Sequence, residues 1–308
     1  MILCICPNPC IDCTLFLDNL NKGKLNRVNN KIINYSGKAL NVAIGASKFN
    51  YPVFAAGFMF KENGYLFEQN LEKNGVKYQF TECPGLVRTN YKVVENGGEL
   101  TEINESGETV SKEKQKELLR LVSDLSQKAD AVIMSGSLPK GVENDFYLKL
   151  ANAVSNKALK FIDAEGEKLR LALQSKPYMV KPNLYELGLL CGSGLKTEAE
   201  IIKGMYKALD MGAENVLLSM GGKGGMLADG KNVYYADAPE VDIISTVGAG
   251  DSMLAAAIVK TLEGCEKSEV LKAAVSAGTA CAACEKEKWF TVEKYEEVYK
   301  LVKVEKIS

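Results

Sequence analysis

From about residue 110 onward, segments with helical apolar spacing alternate with short segments that are apolar throughout. Residues 111–128 carry four leucines and Val122 at helical spacing, and the apolar residues 131–134 that follow are typical of a buried strand. The alternation continues as helix 144–157, strand 160–163, helix 167–174, strand 178–180, helices 184–191 and 198–211, and strand 215–219. Because parallel strands need crossover helices, this order predicts an α/β fold with a doubly wound, mostly parallel sheet and a ligand crevice at the carboxyl ends of its strands.

The first third of the chain has a different pattern. Residues 2–6 are apolar throughout, residues 15–17 and 28–35 alternate, and residues 88–103 read as a hairpin around Asn96-Gly97. Residues 38–49 and 65–73 between them have helical spacing. We predict a single domain over 1–308, with a small β-sheet lid formed by about 12–36 and 87–105 that covers the crevice. The alternative is that these strands only extend the main sheet.

Composition and charge narrow the range of partners. Hydrophobic residues make up 46% of the 308 positions and charged residues 25%, as in an ordinary globular protein. Lys and Arg number 38 against 39 for Asp and Glu, and this net charge of −1 predicts no nucleic-acid or membrane-surface partner. Since no run of 18 uncharged apolar residues occurs, no membrane span is predicted either.

Cysteine and histidine usage restrict the compartment and the chemistry. The N-terminal apolar run stops at Pro7 with no basic residue before it, so we expect no signal peptide and a cytoplasmic protein. The nine cysteines, an odd number, are expected to be reduced and mostly buried. The chain has no histidine, which excludes a Ser-His-Asp or Cys-His mechanism and leaves proton transfer to Asp, Glu, Lys, Tyr or Cys.

Residues 245–252, Ser-Thr-Val-Gly-Ala-Gly-Asp-Ser, run directly into a helical sequence. Glycines at a helix start allow backbone N–H groups to converge, and the positive end of the helix dipole favours an anion there. Asp251 would stand in the first turn beside this site. A carboxylate next to an anion hole is suited to removing a proton from a hydroxyl while phosphoryl charge is stabilised.

Other glycine and lysine motifs give weaker signals. None of the four Gly-Lys pairs completes a Walker A motif, and the Gly-Gly-Lys-Gly-Gly run at 221–225 is either a phosphate-facing loop or a tight turn. Lys181-Pro182-Asn183 with Glu186 opens a predicted helix, where the two oxygen-bearing side chains suit either Mg²⁺ or a helix capping box.

A second group of polar residues lies in the first third of the chain. Lys38 and Asn41 follow a turn at a predicted helix start, and Arg88 and Asn90 lie on a predicted lid strand. A guanidinium and an ammonium that face one pocket would suit a phosphate on the substrate. Asp12, after the Pro7-Asn8-Pro9 turn, is a candidate for binding sugar hydroxyls or for capping the turn.

Seven motifs together resemble the PfkB-type branch of the ribokinase-like sugar kinases, and within it the group of 1-phosphofructokinases, tagatose-6-phosphate kinases and minor 6-phosphofructokinases. They occur in the family's order and span the whole chain. The motifs are Pro7-Asn8-Pro9 with Asp12, Gly37-Lys38 with Asn41-Val42-Ala43, Arg88 with Asn90, Ser135-Gly136-Ser137-Leu138-Pro139, Lys181-Pro182-Asn183 with Glu186, the glycines of 221–225, and residues 246–251.

The resemblance implies an ATP- and Mg²⁺-dependent kinase for a small-molecule sugar phosphate, assembled as a homodimer through its lid strands. Asp251 would be the base, and the amides of Gly248, Ala249 and Gly250 the anion hole. The residues implied for the nucleotide are Lys181, Asn183, Ser219, Gly221, Gly222, Gly224, Gly225 and Thr246, with Glu186 for the metal. Those implied for the acceptor are Asp12, Gly37, Lys38, Asn41, Arg88, Asn90, Ser137 and Asp251, with Lys24 or Arg27 reaching its phosphate.

The reaction expected from this resemblance converts fructose 1-phosphate to fructose 1,6-bisphosphate. The alternatives are tagatose 6-phosphate or fructose 6-phosphate as acceptor, then a neutral sugar or nucleoside, then a non-catalytic sugar-phosphate sensor. Three departures from the family pattern bear on this choice. Ser36 and Ala39 stand where the family usually has glycines, Ile44 stands where many phosphofructokinase relatives have arginine, and residues 285–289 lack the family's glycine-threonine turn.

Overall fold

The structure is a computed structural model that describes residues 1–285 and 289–308. Its strands are β1 (Ile2–Cys6), β2 (Cys10–Leu17), β3 (Asn30–Ser36), β4 (Val53–Phe60), β5 (Lys77–Cys83), β6 (Arg88–Glu95), β7 (Leu100–Asn104), β8 (Ala131–Ser135), β9 (Leu159–Asp163), β10 (Met179–Val180), β11 (Asn215–Ser219), β12 (Gly225–Ala228), β13 (Val233–Ala236) and β14 (Val304–Lys306). Its helices are α1 (Lys38–Ser47), α2 (Tyr65–Lys73), α3 (Lys112–Ser126), α4 (Phe146–Ala153), α5 (Gly166–Ala172), α6 (Leu184–Cys191), α7 (Glu198–Asp210), α8 (Ala249–Leu262), α9 (Lys267–Ala282) and α10 (Val292–Leu301).

The main sheet has ten strands in the order β14-β13-β12-β11-β10-β9-β8-β1-β4-β5. The pairs from β11 through β5 are parallel, and β12, β13 and β14 add an antiparallel edge. The central strands β1 and β8 are buried at every position, because helices cover both faces of the sheet and leave no polar side. The predicted doubly wound, mostly parallel sheet is confirmed.

A separate four-stranded sheet, the lid, has the order β3-β2-β6-β7. Strand β2 pairs with β3 antiparallel and with β6 in parallel, and β6 pairs with β7 antiparallel. The prediction of a small separate sheet is therefore confirmed, and the alternative that these strands extend the main sheet is wrong. Strands β4 and β5 join the main sheet, although their sequences were not recognised as strands.

Small residues bring two helix starts together at the crevice. Helices α1 and α8 pack closely because Gly45 faces Ala255, so near that a Cβ on Gly45 would lie 3.0 Å from the Ala255 Cβ. Glycine and alanine allow backbones to approach in this way, and tight interior packing leaves the helices little freedom to separate. The N-terminal turns of α1 and α8, which carry Lys38 and Asp251, therefore face each other.

No helix in the described part of the chain is both long enough and apolar enough to cross a bilayer.

Candidate active site

A cleft of about 490 Å³ lies between the carboxyl ends of the main-sheet strands and the lid. Crevices of doubly wound sheets form at this edge because polar side chains and helix starts collect there. The residues singled out from the sequence that line it are Asp12, Gly37, Lys38, Asn41, Arg88, Asn90, Ser137, Lys181, Asn183, Glu186, Ser219, Gly248, Gly250 and Asp251.

Asp251 stands in the first turn of α8 at the bottom of this cleft and is 8% exposed. Its Oδ2 accepts a hydrogen bond of 2.7 Å from the Asn41 side-chain amide. Burial and the nearby charge of Asp163 raise the pKa of Asp251 to about 6, although the Asn41 bond and two lysines partly oppose the shift. A carboxylate with a pKa near 6 is ionised at neutral pH and is a stronger base than an ordinary aspartate.

Ser36 fixes the orientation of the amide that contacts Asp251. Its hydroxyl donates to the Asn41 Oδ1 at 3.2 Å, so the Asn41 NH₂ group points to the carboxylate. Ser36, Asn41 and Asp251 are all buried. The serine that replaces a usual family glycine thus acquires a hydrogen-bonding function in this chain.

The start of α8 offers backbone donors beside this carboxylate. Gly248 caps the helix with a φ of 88°, a left-handed conformation that favours glycine, and both Gly248 and Gly250 line the cleft. The third expected donor is committed elsewhere, because the Ala249 N–H donates to the Thr246 carbonyl at 3.3 Å. Two amides rather than three are therefore placed for an anion.

A lysine from a different strand end stands beside these amides. A Cβ on Gly250 would lie 3.4 Å from the Lys181 Nζ, so the ammonium group directly adjoins the helix start. Lys181 is 5% exposed and follows β10, where its own N–H donates to the Ile162 carbonyl. An ammonium and helix-terminal amides that share one small volume form a site for phosphate oxygens.

Trp289, the chain's single tryptophan, packs against the other side of this loop. A Cβ on Gly248 would lie only 2.3 Å from the Trp289 Cζ3, so no larger residue fits there without movement of the ring. Trp289 itself has a φ of 58°, which is unusual for a bulky residue. Of the segment 285–289 noted above, residues 286–288 lie outside the described residues.

A buried carboxylate, Asp163 at the end of β9, holds two lysines in the cleft. Its Oδ1 lies 3.4 Å from the Lys38 Nζ, its Oδ2 lies 3.6 Å from the Lys181 Nζ, and Ser135 donates to it at 3.1 Å. Burial alone would raise the pKa of Asp163, but Lys181, Lys38 and the Ser135 bond outweigh it and lower the pKa. Burial would likewise lower the pKa of Lys38, whereas the carboxylates of Asp163 and Glu186 raise it. Lys38 therefore stays cationic.

Asn183 and Glu186 form the capping box that was one of the two interpretations of their spacing. The Asn183 side chain accepts from the Glu186 N–H at 2.8 Å, and the Glu186 Oε2 accepts from the Asn183 N–H at 2.9 Å. The Glu186 Oε1 remains in the cleft, 3.6 Å from the Lys38 Nζ.

Negatively charged side chains outnumber positively charged ones in the cleft, which favours a bound cation. They comprise the carboxylates of Asp12, Glu102, Asp163, Glu165, Glu186 and Asp251 and the cationic groups of Lys38, Arg88, Lys92 and Lys181. Among the described residues no three Asp, Glu, Cys or His side chains are grouped as a metal cage. Mg²⁺ usually takes only one or two protein carboxylates beside phosphate and water, so the oxygen donors near Glu186 fit this ion.

The lid contributes a row of hydrogen-bonded polar side chains to the opposite side of the cleft. Arg88 donates to the Asn90 Oδ1 at 3.0 Å and to the Ser137 hydroxyl at 3.2 Å, and its Nε is buried without a recorded partner among the described residues. Asn90 donates in turn to the Asp12 Oδ1 at 3.3 Å. Hydrogen bonds therefore link the lid to the loop after β8.

Several residues implied by the resemblance lie away from the cleft. Lys24 and Arg27 are exposed on the loop between β2 and β3, and this loop does not bring them to the cleft of the same chain. The glycines at 221–225 form a tight turn, in which Gly224 has a φ of 82° and a Cβ on it would lie 1.9 Å from the Ala236 carbonyl oxygen. The residues implied for the site that do not line the cleft are Lys24, Arg27, Gly221, Gly222, Gly224, Gly225, Thr246 and Ala249.

Sequence reasoning missed three groups that the structure brings into the site. Asp163 ends a predicted strand at the crevice edge, and its position was a signal that could have found it. Ser36 and Lys92 gave no such signal, because their partners Asn41 and Asp12 depend on side-chain packing and on strand pairing.

The sequence pattern of the pfkB family of carbohydrate kinases matches residues 3–288. The chain belongs to this family. It is 32% identical over 283 residues to a 1-phosphofructokinase of Borreliella burgdorferi, with 92% of each chain covered. It is 29% identical over 308 residues to a tagatose-6-phosphate kinase of Staphylococcus epidermidis, with 99% of each chain covered.

Solved structures agree on the fold. A crystal structure of Escherichia coli phosphofructokinase-2 in complex with potassium superposes with a TM-score of 0.90 at 24% identity, and 97% of this chain and 98% of that one are covered. The predicted ribokinase-like fold is thereby confirmed. With the family assigned, this pfkB protein is a kinase of carbohydrate metabolism, a phosphotransferase with an alcohol acceptor.

Proposed function

We propose that this pfkB kinase transfers the γ-phosphoryl group of ATP to fructose 1-phosphate and releases fructose 1,6-bisphosphate and ADP. The observation that carries the proposal is the position of the buried Asp251 carboxyl beside the start of α8 and the Lys181 ammonium. A base and an anion site in one volume are what transfer to a hydroxyl requires. The similarity to 1-phosphofructokinases supports the choice of acceptor.

The chemical step uses Asp251 as the general base. Its carboxylate accepts the proton of the acceptor hydroxyl while that oxygen bonds to the γ-phosphorus in line with the leaving group. The bond between the γ-phosphorus and the bridging oxygen breaks, and its electron pair stays on ADP. Asn41 holds the carboxylate through its 2.7 Å bond, so that the accepting oxygen has a fixed position.

The charge of the transferring group is met by groups that are already in place. The amides of Gly248 and Gly250 and the ammonium of Lys181 would bind its oxygens, and Lys38 would neutralise charge on the acceptor side. Because Asp163 pins both lysines, little reorganisation is needed when the charge develops.

The nucleotide is proposed to enter from the side of Ser219 and Asn183. Residues 221–225 follow Ser219 closely in the chain, and Thr246 precedes Val247, which lines the cleft. We therefore keep them as candidate nucleotide contacts, although they do not line the cleft themselves. Glu186, with water and phosphate oxygens, would hold Mg²⁺, which neutralises polyphosphate charge when bound.

A panel of acceptors tests the proposed function. Purified protein with ATP and MgCl₂ would be assayed for ADP release on fructose 1-phosphate, tagatose 6-phosphate, fructose 6-phosphate, free fructose, ribose and adenosine. We expect the highest kcat/KM for fructose 1-phosphate. A preference for another sugar phosphate would correct the substrate, a preference for a neutral acceptor would correct its class, and no turnover on any acceptor would favour a sensor.

The pH dependence of kcat should follow the ionisation of Asp251. Because the base must be deprotonated, kcat should rise tenfold per pH unit below about pH 6 and level off above it. The chain has no histidine that could give the same titration near neutral pH. The measurement is kcat at saturating substrates between pH 4.5 and 8.5.

Asp163→Asn is the matched variant for this profile. The charge of Asp163 is one cause that raises the pKa of Asp251, so its removal should move the acidic limb to lower pH. An unshifted limb in this variant would assign the titration to another group.

We also propose that two copies associate through their lids. Ile33 and Ile103 lie in one row across the lid with Cys13 and Tyr91, on the face opposite Asp12, and their side chains are 43% and 56% exposed. An exposed apolar row of this kind suits a second lid. Light scattering should give twice the 33.5 kDa chain mass, and Ile33→Glu with Ile103→Glu should give the single mass.

We further propose that residues 1–308 form a single ribokinase-like domain that includes this lid, and that the protein is cytoplasmic. All nine cysteines are free thiols, as a reducing compartment favours.

A further inference from the structure

Lys92 is a lysine on the crevice-facing side of the lid. It lies on β6 two residues after Asn90 and four after Arg88, so that the strand's alternation places all three side chains on one face. The side chain of Lys92 is 13% exposed. Lysines are seldom so buried without a partner, and this one lines the cleft.

The ammonium of Lys92 has one recorded partner among the described residues. Its Nζ lies 3.4 Å from the Asp12 Oδ2, while the Asn90 side chain donates to the Asp12 Oδ1 at 3.3 Å. Both oxygens of Asp12 are therefore held. An ammonium has three N–H donors, so at least one of those of Lys92 is left for a ligand in the cleft.

The two lysines at the bottom of the cleft are already paired with carboxylates. Lys38 and Lys181 both contact Asp163, and Lys38 also contacts Glu186. The phosphate that a sugar phosphate brings into a cleft with six carboxylates needs cations of its own. Arg88 and Lys92 are the cations that the lid supplies to the cleft, since Lys24 and Arg27 lie outside it.

Stability does not account for this arrangement. Two charges removed from water lose hydration, and a buried ion pair is often no more stabilising than an apolar pair of similar size. Lys92 and Asp12 are nevertheless placed where the acceptor enters, with Asn90 between Lys92 and Arg88. A ligand anion would give the ammonium a second partner and offset part of its lost hydration.

We propose that Lys92 determines specificity for a phosphorylated acceptor by binding, together with Arg88, the phosphate that the acceptor already carries. This inference rests on the proposed sugar-phosphate kinase function and adds a residue to it. Asp12 holds the ammonium in position between substrates, and the phosphate oxygens accept from its remaining N–H groups when the acceptor binds.

The test compares Lys92→Met with the wild type and with Lys116→Met. Lys116 lies exposed on α3, so its substitution removes the same charge outside both the cleft and the lid. We expect Lys92→Met to raise the KM of the sugar phosphate about 10- to 100-fold, the usual cost of one charge-assisted hydrogen bond. The KM of ATP and kcat should stay within about threefold. Lys116→Met should match the wild type, and Arg88→Ala should resemble Lys92→Met.

A double-mutant cycle separates phosphate binding from mere support of Asp12. If Lys92 contacts the phosphate, Lys92→Met should still lower kcat/KM when Asp12→Asn is present, although by less than in the wild-type background because Asp12 orients the ammonium. If Lys92 acts only through Asp12, Lys92→Met should cause no further loss once Asp12→Asn is present. Lys92→Arg, which keeps the charge, should recover most of the affinity in the first case.

Three results would overturn the inference: an unchanged acceptor KM in Lys92→Met, equal losses for Lys116→Met, or no further loss from Lys92→Met when Asp12→Asn is present. Thermal unfolding of each variant shows whether the fold is kept, and if Lys92→Met fails to fold, Lys92→Gln replaces it. Wild-type protein that turns over none of the sugar phosphates would instead contradict the proposed function, so the two failures are distinguishable.

Discussion

Asp251→Asn should lower kcat by about 10²- to 10⁴-fold, the usual contribution of a positioned general base. An asparagine has nearly the same shape and can still accept the 2.7 Å bond from Asn41 through its carbonyl oxygen, but it cannot take a proton. The KM values for ATP and for the sugar phosphate should change by less than about threefold, because neither binding site loses its shape. The measurement is steady-state kinetics at pH 8.

The control for this variant is Asp124→Asn, on the exposed side of α3, which should leave both constants unchanged. Turnover of Asp251→Asn equal to that of the wild type would remove Asp251 from the chemical step.

The same substitution should stabilise the fold. The pKa of Asp251 is raised from 3.8 to about 6, so folding favours its protonated form. The stability from this shift is complete below about pH 4 and is lost as the pH rises through 6. Above that, the ionised carboxylate costs up to about 3 kcal/mol, which Asp251→Asn removes. The free energy of unfolding should therefore rise in the variant at pH 8 and differ much less at pH 4.

Gly248→Ala should lower kcat by about 10²-fold or more. The φ of 88° at Gly248 is strained for alanine, and the new Cβ would lie 2.3 Å from the Trp289 ring. Relief of this overlap must displace either the ring or the helix start, and loss of one oxyanion-hole donor typically costs 10²- to 10³-fold. Steady-state kinetics measure the effect.

Gly230→Ala supplies the matched control, because Gly230 has a φ of 81° with nothing within 4 Å of a new Cβ. It carries the same backbone penalty without the overlap and lies away from the cleft. It should lose about 1–2 kcal/mol of stability and no activity. A Gly248→Ala enzyme as active as Gly230→Ala would show that the helix start does not bind the transferring group.

The doubly wound class of the main sheet, its strands β1 and β8 to β11, and the lid could be predicted because their signals are local. The apolar run of β8 and the helical spacing of α3 lie within single segments, and α6 was predicted at the residues where it occurs. The antiparallel edge was missed for two reasons. Strands β12 and β13 form a short local hairpin that was not recognised, whereas β14 comes from the end of the chain and pairs with β13 about 70 residues earlier.

The residues of the candidate site likewise fall into those that local sequence predicts and those that it does not. Asp251, Lys181 and Asn183 follow strand ends or begin helices, so sequence position alone brought them to one edge. The pairing of Lys92 with Asp12 depends on the register of β6 against β2, which no local pattern gives. The exposed place of Lys24 and Arg27 likewise follows from the path of the loop rather than from their charges.

The position of Trp289 makes its intrinsic fluorescence a probe of the start of α8. Indole emission responds to the polarity and motion of its surroundings, and here all of it arises from one ring in contact with Gly248. Nucleotide affinity can therefore be followed by fluorescence titration of the unlabelled protein, with no background from a second tryptophan. Stopped-flow recording of the same signal would time the filling of the phosphate site separately from turnover.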